Sequence, residues 1–574
     1  MSTTTNEVRP SILPARGLAV ALDYAVGSHW RAAAFLLVFS LTAFLPGFFQ
    51  IPPIDRDEAR FAQATKQMLE AHEYVDIRFQ DEVRYKKPVG IYWLQAAAVK
   101  AGEAAGIHQA RTTIWLYRLP SLVGATLAVL LTYWAALAFV PRRAGLLAAL
   151  MMASSVLLGA EARLAKTDAM LLFASVTAMG AMARIYLANR RNTGEKIGWV
   201  VPATLWTALA AGVLLKGPLI LMFVALTAVT LSVVDRSARW LWSLRPIAGF
   251  LWMGLLVLPW FTAIVAKSGS NFFVEALGHD MLDKIASSQE AHGAPPGFYF
   301  VLFWISFWPG AVLAGLAAPA VWKAKREPGA RFLLAWLVPS WLIFEAVVTK
   351  LPHYVLPLFP AIAILIAGIL EQGGLSKTRW VVRGTIGWFL FPTAIAILIP
   401  IAFVALGRDL GLTAWPFSAV AMIFGLFAWW LYEVDGAERS VLRAMIASIL
   451  IAIALYAVTI PSLPALFPSA MIADEIRATD CSQPRLASTF AYQEPSLVFL
   501  LGTATRFTDG AGAADFLRAG PCQFALVDPR SEHSFVQRAE SSGLRYSLTQ
   551  RIEGYNISIG KPVSLTIFRS QAAQ

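Results

Sequence analysis

AAAFLLVFSLTAFLPGFFQIPPIDRDEAR, residues 32–60, sets an apolar run long enough to cross a bilayer just ahead of six residues of which five are charged. A charged side chain near the bilayer centre costs at least about 2.5–3.5 kcal/mol. The carboxylates of Asp55, Asp57 and Glu58 therefore belong at a membrane boundary, facing water, one another or a cationic group. They form either an ordinary solvated loop or the working end of a membrane enzyme, and the rest of the chain decides between the two.

The apolar half of that pattern recurs along the chain. Of 574 residues, 57% are hydrophobic and 15% charged, whereas soluble domains run near 45–50% and about 25%. Runs of about 20 apolar residues mark a polytopic α-helical membrane protein. We read about thirteen transmembrane helices, at 32–50, 117–139, 144–161, 168–187, 198–215, 217–234, 246–266, 298–321, 331–348, 354–370, 384–405, 413–432 and 441–460. The first is expected to be a retained helix. A polar segment precedes it, and Pro46-Gly47-Phe48-Phe49 follows it where a signal peptide would carry a small-x-small cleavage site.

Alternate connections are basic: Arg142-Arg143, Arg190-Arg191 with Lys196, Arg236/Arg239/Arg245, Lys323/Lys325/Arg326, Lys377/Arg379/Arg383 and Arg439/Arg443. The positive-inside rule makes that side cytoplasmic, together with the N-terminus, and an odd number of spans sends the C-terminus outside. In a bacterial inner membrane the outer face is periplasmic. Loop basicity also accounts for the net charge of +12, so nucleic acid is not an expected partner. The expected division is a transmembrane part, 1–460, and an external tail, 461–574.

Two external loops are long, at about 51–116 and 267–297. In the first, residues 57–71 and a stretch around Trp93–Val99 have the pattern of amphipathic helices lying along the interface. The tail alternates strand-like runs (Arg485–Phe490, Leu497–Leu501, Phe524–Val527, Tyr546–Ile552, Val563–Phe568) with helix-like pieces near 469–478, 511–519 and 531–542, which reads as a small α/β domain. Cys481 and Cys522 are the only cysteines, and an oxidising compartment favours a disulfide between them over two buried thiols.

Candidate chemistry gathers on the outer face. Asp57 and Glu58 open a helix, where acidic groups are favoured by the dipole. Asp55-x-Asp57 also has an unspecific metal-binding spacing, and Asp168 adds a carboxylate at the outer end of another span, where it also suits a helix cap. Arg60, Lys86, Lys87, Lys216 and Lys350 stand on the side where basic residues are disfavoured, as cations for a lipid-borne phosphate would. Tyr85 is a candidate interface anchor, and Tyr354 either an anchor or a phosphate donor. His279 and His292 are weak candidate metal ligands. No P-loop, dinucleotide motif, nucleophile elbow or zinc-protease signature occurs, which argues against a nucleotide-driven pump and a nucleotide-sugar donor. Charges at one end of the spans argue against a transporter, which carries them in mid-span.

The ordered set Asp57-Glu58-Ala59-Arg60-Phe61-Ala62, Arg84-Tyr85-Lys86-Lys87-Pro88 with Tyr92-Trp93, Asp168, Lys216-Gly217, Pro259-Trp260 and Lys350-Leu351-Pro352-His353-Tyr354 resembles the membrane glycosyltransferases that use polyprenyl-phosphate sugars, relatives of the protein O-mannosyltransferases. Within them it resembles the lipid A aminoarabinose transferases. Phe61 stands where that family usually has tyrosine, and Asp55 makes the motif D-R-D-E, so the motifs mark the reaction class more closely than the sugar. The resemblance implies a GT-C-like fold and transfer of 4-amino-4-deoxy-L-arabinose from undecaprenyl phosphate to a lipid A phosphate, with polymyxin resistance as the consequence. The alternative is another sugar or acceptor, including protein hydroxyls. Carboxylates (Asp55, Asp57, Glu58, Asp168) would serve the sugar, and the cations with Tyr85 and Tyr354 the phosphates. No cofactor is expected, and a divalent metal is not expected to be essential.

Overall fold

Each of the thirteen apolar runs contains helix in the computed structural model, which describes residues 15–54, 56–191, 198–269, 271–273, 293–406 and 410–571. Among the described residues, eight helices are long and apolar enough to cross a membrane. A ninth span would be the pair Phe298–Ser306 and Ala311–Arg326, bent by 120° at its break. His29–Phe44, Val200–Lys216 and Leu219–Val234 are shorter apolar helices. The run at 144–161 is split into Arg142–Ala153 and Val156–Glu161 by a break at Ser154-Ser155.

Side-chain size decides which spans are central. Asp168–Arg190 is 78% buried, whereas Pro246–Ser268 is 17% buried and presents Ile247, Phe250, Leu251 and Leu255 outward, as a lipid-facing helix does. The central helix carries Ala169, Ala174, Ala178, Gly180, Ala181 and Ala183, which let the helix Ile114–Ala136 approach closely. At the crossing, a Cβ on Gly124 would lie 2.9 Å from the Met170 backbone nitrogen, so only glycine fits.

The first external loop folds into the helices Asp57–Ala71 and Gly90–Ala104 with a two-stranded hairpin between them, β1 (Arg78–Phe79) and β2 (Glu82–Val83). The helix Asp57–Ala71 buries Ala59, Phe61, Ala62, Met68 and Leu69.

The tail forms a five-stranded sheet of β3 (Arg485–Thr489), β4 (Arg506–Thr508), β5 (Gln523–Val527), β6 (Tyr546–Asn556) and β7 (Lys561–Ser570), in the order β4-β3-β5-β7-β6. The first three strands are parallel, while β7 runs antiparallel to β5 and β6. Cys481 and Cys522 are disulfide-bonded, with Cα atoms 5.6 Å apart. One expectation fails: Leu497–Leu501 is not a strand but the end of a helix, Pro495–Leu501. A short apolar run has no periodicity to separate the two forms, and Pro495 at the first turn fixes a helical start.

That helix is the tail's main dock. It lies against Asp57–Ala71, where Lys66 Nζ donates to the Phe499 carbonyl at 2.8 Å and Gln63 donates to Thr503 at 2.8 Å. The Phe499 ring meets Tyr117 edge-on at 5.2 Å. Burial pulls the Lys66 ammonium down to a pKa of about 8, against a smaller upward pull from Glu70.

Candidate active site

Adjacent carboxylates at the start of the first-loop helix meet opposite surroundings. Glu58 is buried, and Arg118 holds it in a two-pronged pair, Nε to Oε1 at 2.7 Å and Nη2 to Oε2 at 2.8 Å. The backbone N–H groups of Ile54 and Ala165 donate to the same carboxylate at 2.8 and 2.9 Å. Arg118 also donates to the carbonyls of Ile51 and Pro52 at 2.7 and 3.0 Å, tying the chain that leaves the first span to the bundle. Both Glu58 oxygens are thus occupied by protein donors. Asp57, one residue earlier, is exposed. The preceding Arg56 takes φ +66°, costly for a non-glycine residue, and its guanidinium donates to the Ser558 carbonyl in the tail.

Asp57 faces a cluster assembled from three chain segments. Glu161 ends the helix Val156–Glu161 and Asp168 begins the next, so the turn between them aims both carboxylates at one spot. Lys166, in that turn, donates to Glu161 Oε1 at 3.0 Å and lies 3.9 Å from Asp168 Oδ2. Lys216, last residue of Val200–Lys216, donates to Asp168 Oδ1. His353, in the turn Pro352–Leu358, sits between the acids, with Nδ1 3.6 Å from Glu161 and Nε2 3.7 Å from Asp168. Tyr354 closes the group, its ring 5.2 Å from that of His353 and 5.5 Å from Lys216 Nζ. Burial disfavours the Lys166 ammonium, but Glu161, Asp168 and Asp57 outweigh it and hold Lys166 charged above the ordinary lysine range. Glu161 keeps one buried oxygen with no hydrogen-bond partner among the described residues.

Glu161, Asp168 and His353 bring ligand-type atoms within 4.8 Å of one another. Each of the two carboxylates is also paired with an ammonium, Glu161 with Lys166 and Asp168 with Lys216. The other metal candidates, His279 and His292, and the carboxylate Asp55, lie outside the described residues.

Two further sequence candidates are turned away from this cluster. Lys350 is buried and donates to the carbonyls of Phe344, Glu345 and Val347 at 3.2, 2.9 and 2.6 Å. It closes the C-terminal end of the helix Pro328–Ala346, where orphan carbonyls and the dipole favour a cation. Its three protons are committed to those carbonyls, and burial lowers its pKa. The Tyr85 hydroxyl donates to Asp76 at 2.8 Å, and burial pushes its pKa up to about 12. It braces the first loop. Lys87 lies near enough for its charge to reach His353, whereas Lys86 and Arg60 line a cavity between the β1–β2 hairpin and the tail.

Charge and spacing do not single out Arg118, Glu161, Lys166 or His353. The available signal is opposite charges inside apolar sequence: Glu161, Lys166 and Asp168 together, and a lone arginine at the start of a 23-residue apolar helix.

Multi-pass helices, a folded first loop and a small α/β tail, with titratable groups gathered at helix ends, define a polytopic α-helical membrane protein with an external domain. Residues 34–269 match the family model for dolichyl-phosphate-mannose-protein mannosyltransferase. The structure resembles ArnT from Cupriavidus metallidurans bound to undecaprenyl phosphate, with a TM-score of 0.72 and 18% identity over 96% of this chain and 98% of that one. The apo state of that protein gives 0.71 over the same shares. In sequence, the chain is 27% identical over 372 residues to the undecaprenyl phosphate-alpha-4-amino-4-deoxy-L-arabinose arabinosyl transferase of Yersinia pestis (strain Pestoides F), covering 62% of each. It is 25% identical over 405 residues to the enzyme of that name from Pseudomonas paraeruginosa, covering 68% of this chain and 70% of that one. By fold, the chain is similar to ArnT along nearly its whole length.

Proposed function

We propose that this protein transfers 4-amino-4-deoxy-L-arabinose from undecaprenyl phosphate to a phosphate of lipid A, at the periplasmic face of a bacterial inner membrane. The N-terminus is cytoplasmic and the tail periplasmic in this reading, which the basic alternate loops and the disulfide support. The observation that carries the proposal is the exposed Asp57 beside the balanced Asp168–Lys216–Lys166–Glu161 cluster, at the helix ends where a lipid phosphate and a soluble sugar group meet. The same donor name is borne by the relatives from two genera.

In the reaction an oxygen of the acceptor phosphate forms a bond to the anomeric carbon as the bond from that carbon to the undecaprenyl phosphate oxygen breaks. The electron pair leaves with the phosphate, and the anomeric centre inverts. Charge developing on the leaving phosphate calls for a fixed cation, a role we assign to Lys87. The oxocarbenium-like sugar calls for a carboxylate, and Asp57 supplies it. Asp168 holds Lys216 and Lys166, and hence the wall of the site, in place. The acceptor phosphate is ionised at neutral pH, so no strong general base is needed. The product carries less negative charge, which weakens attraction of cationic peptides.

The test is incubation of purified protein with radiolabelled donor and lipid A, followed by mass spectrometry of the product. Aminoarabinosyl lipid A is expected. A product bearing a hexose, or label on protein, would overturn the donor or acceptor and favour the second reading, transfer of another sugar, which the match of residues 34–269 to the mannosyltransferase model supports.

A further inference from the structure

Between the β1–β2 hairpin and the tail sheet lies a cavity of about 1110 Å³. Its walls carry Arg60, Arg84, Lys86, Arg485 and Arg506 against Asp81, Glu82 and Asp515. Asp515 is already paired with Arg538 at 2.9 Å. Arg84, Lys86, Arg485 and Arg506 form no ion pair among the described residues. Unpaired cations facing one another across a cavity repel, and nothing in folding alone rewards gathering them. Two lining residues also carry a buried polar atom with no hydrogen-bond partner among the described residues, Arg84 Nε and Gln523 Oε1.

The aromatic lining narrows the ligand class. Phe79, Phe507 and Phe516 share the wall with the arginines, and the Arg506 guanidinium lies 5.9 Å from the Phe516 ring. Cations for phosphate beside apolar rings for sugar faces suit a phosphorylated saccharide. Lys86, which lines the cavity, is the chain neighbour of Lys87, whose charge reaches His353.

We propose that this cavity, shared by the first loop and the tail, binds the phosphorylated sugar headgroup of the acceptor, with Arg485 and Arg506 as its tail-borne ligands. Naming the acceptor rests on the function proposed above; the affinity for a phosphorylated saccharide does not. The tail is then an acceptor-binding element, and the reaction is fed from two sides.

The probe is a water-soluble, deacylated glucosamine disaccharide carrying two phosphates, titrated calorimetrically into the full-length protein in detergent. Arg485→Gln/Arg506→Gln is expected to weaken binding at least about tenfold, with undecaprenyl phosphate affinity unchanged and the Arg485→Lys/Arg506→Lys pair recovering part of the loss. The disaccharide without phosphates should bind far more weakly to the wild type. Equal binding by wild type and the glutamine variant, or no binding by the wild type, would overturn the proposal. Should the wild type bind the bisphosphate through these arginines yet transfer nothing to lipid A, the proposed reaction fails and the cavity stands. Under turnover, the glutamine variant should raise the acceptor KM and leave kcat and the donor KM in place.

Discussion

Asp57 and Glu58 share one helical turn, yet one belongs to a closed charge network and the other to an open one. Around Glu58 both carboxylate oxygens are filled, by Arg118 and two backbone N–H groups, and the residue is buried. Around Asp57 the carboxylate is exposed, and the neighbouring cluster keeps an unsatisfied oxygen on Glu161. A filled buried network fixes geometry, because any departure strands a charge. An unfilled one keeps electrostatic capacity for a substrate.

Breaking the closed network should have the largest effect. Arg118→Met leaves Glu58 buried and unpaired, which costs about 3–5 kcal/mol and should appear as a large fall in Tm or failure to accumulate. Glu58→Leu/Arg118→Leu should recover much of that stability. A Tm for Arg118→Met equal to wild type would show that the pair does not organise the loop. Opening the other side, Asp57→Asn should leave Tm and undecaprenyl phosphate binding unchanged while transfer falls about 10²–10³-fold. Near wild-type turnover in that variant would remove Asp57 from the chemistry. Asp168→Asn should also abolish transfer, with some loss of Tm because Lys216 loses its counter-charge.

Smaller effects sharpen the contrast. Lys350→Met deprives three carbonyls of a donor, costing about 1–3 kcal/mol, and should lower Tm without changing the donor KM. A raised donor KM at constant Tm would return Lys350 to the phosphate site. The smallest effect is a pH slope at the tail dock. Native Lys66 has a pKa of about 8 against an ordinary value of 10.5. Below pH 8 both states are protonated and the native state bears the full cost of a buried charge. Between pH 8 and 10.5 the native side chain has released its proton and the unfolded one has not. The Lys66 contribution therefore rises with pH, by up to about 1.4 kcal/mol per unit. Proteolytic release of the tail should slow from pH 8 to 10, and Lys66→Met should flatten that slope.

Much of the architecture was legible because it is written locally. Hydropathy is a sum along one segment, so the apolar runs announced their helices, and the basic loops announced an orientation. The alternation in the tail announced an α/β domain, except at Leu497–Leu501, where a five-residue apolar run carries no period and a neighbouring proline decided for helix. Asp57, Asp168 and Lys216 stood out as charges at outer helix ends. Glu161, Lys166 and His353 did not, because each is unremarkable in its own segment and acquires meaning only from the other two.

The sequence by itself determined a multi-pass helical bundle, a folded first loop, an α/β tail and the face on which charges collect, since burying apolar area and exposing charge require no knowledge of partners. Only the tertiary structure decided that Glu58 pairs with Arg118 while Asp57 stays open, that Lys350 caps a helix, and that the tail completes a basic cavity over the first loop. Those outcomes depend on distances of a few ångströms between segments far apart in the chain. A charge's role is set by what stands within hydrogen-bond reach of it, which no property of its own segment encodes.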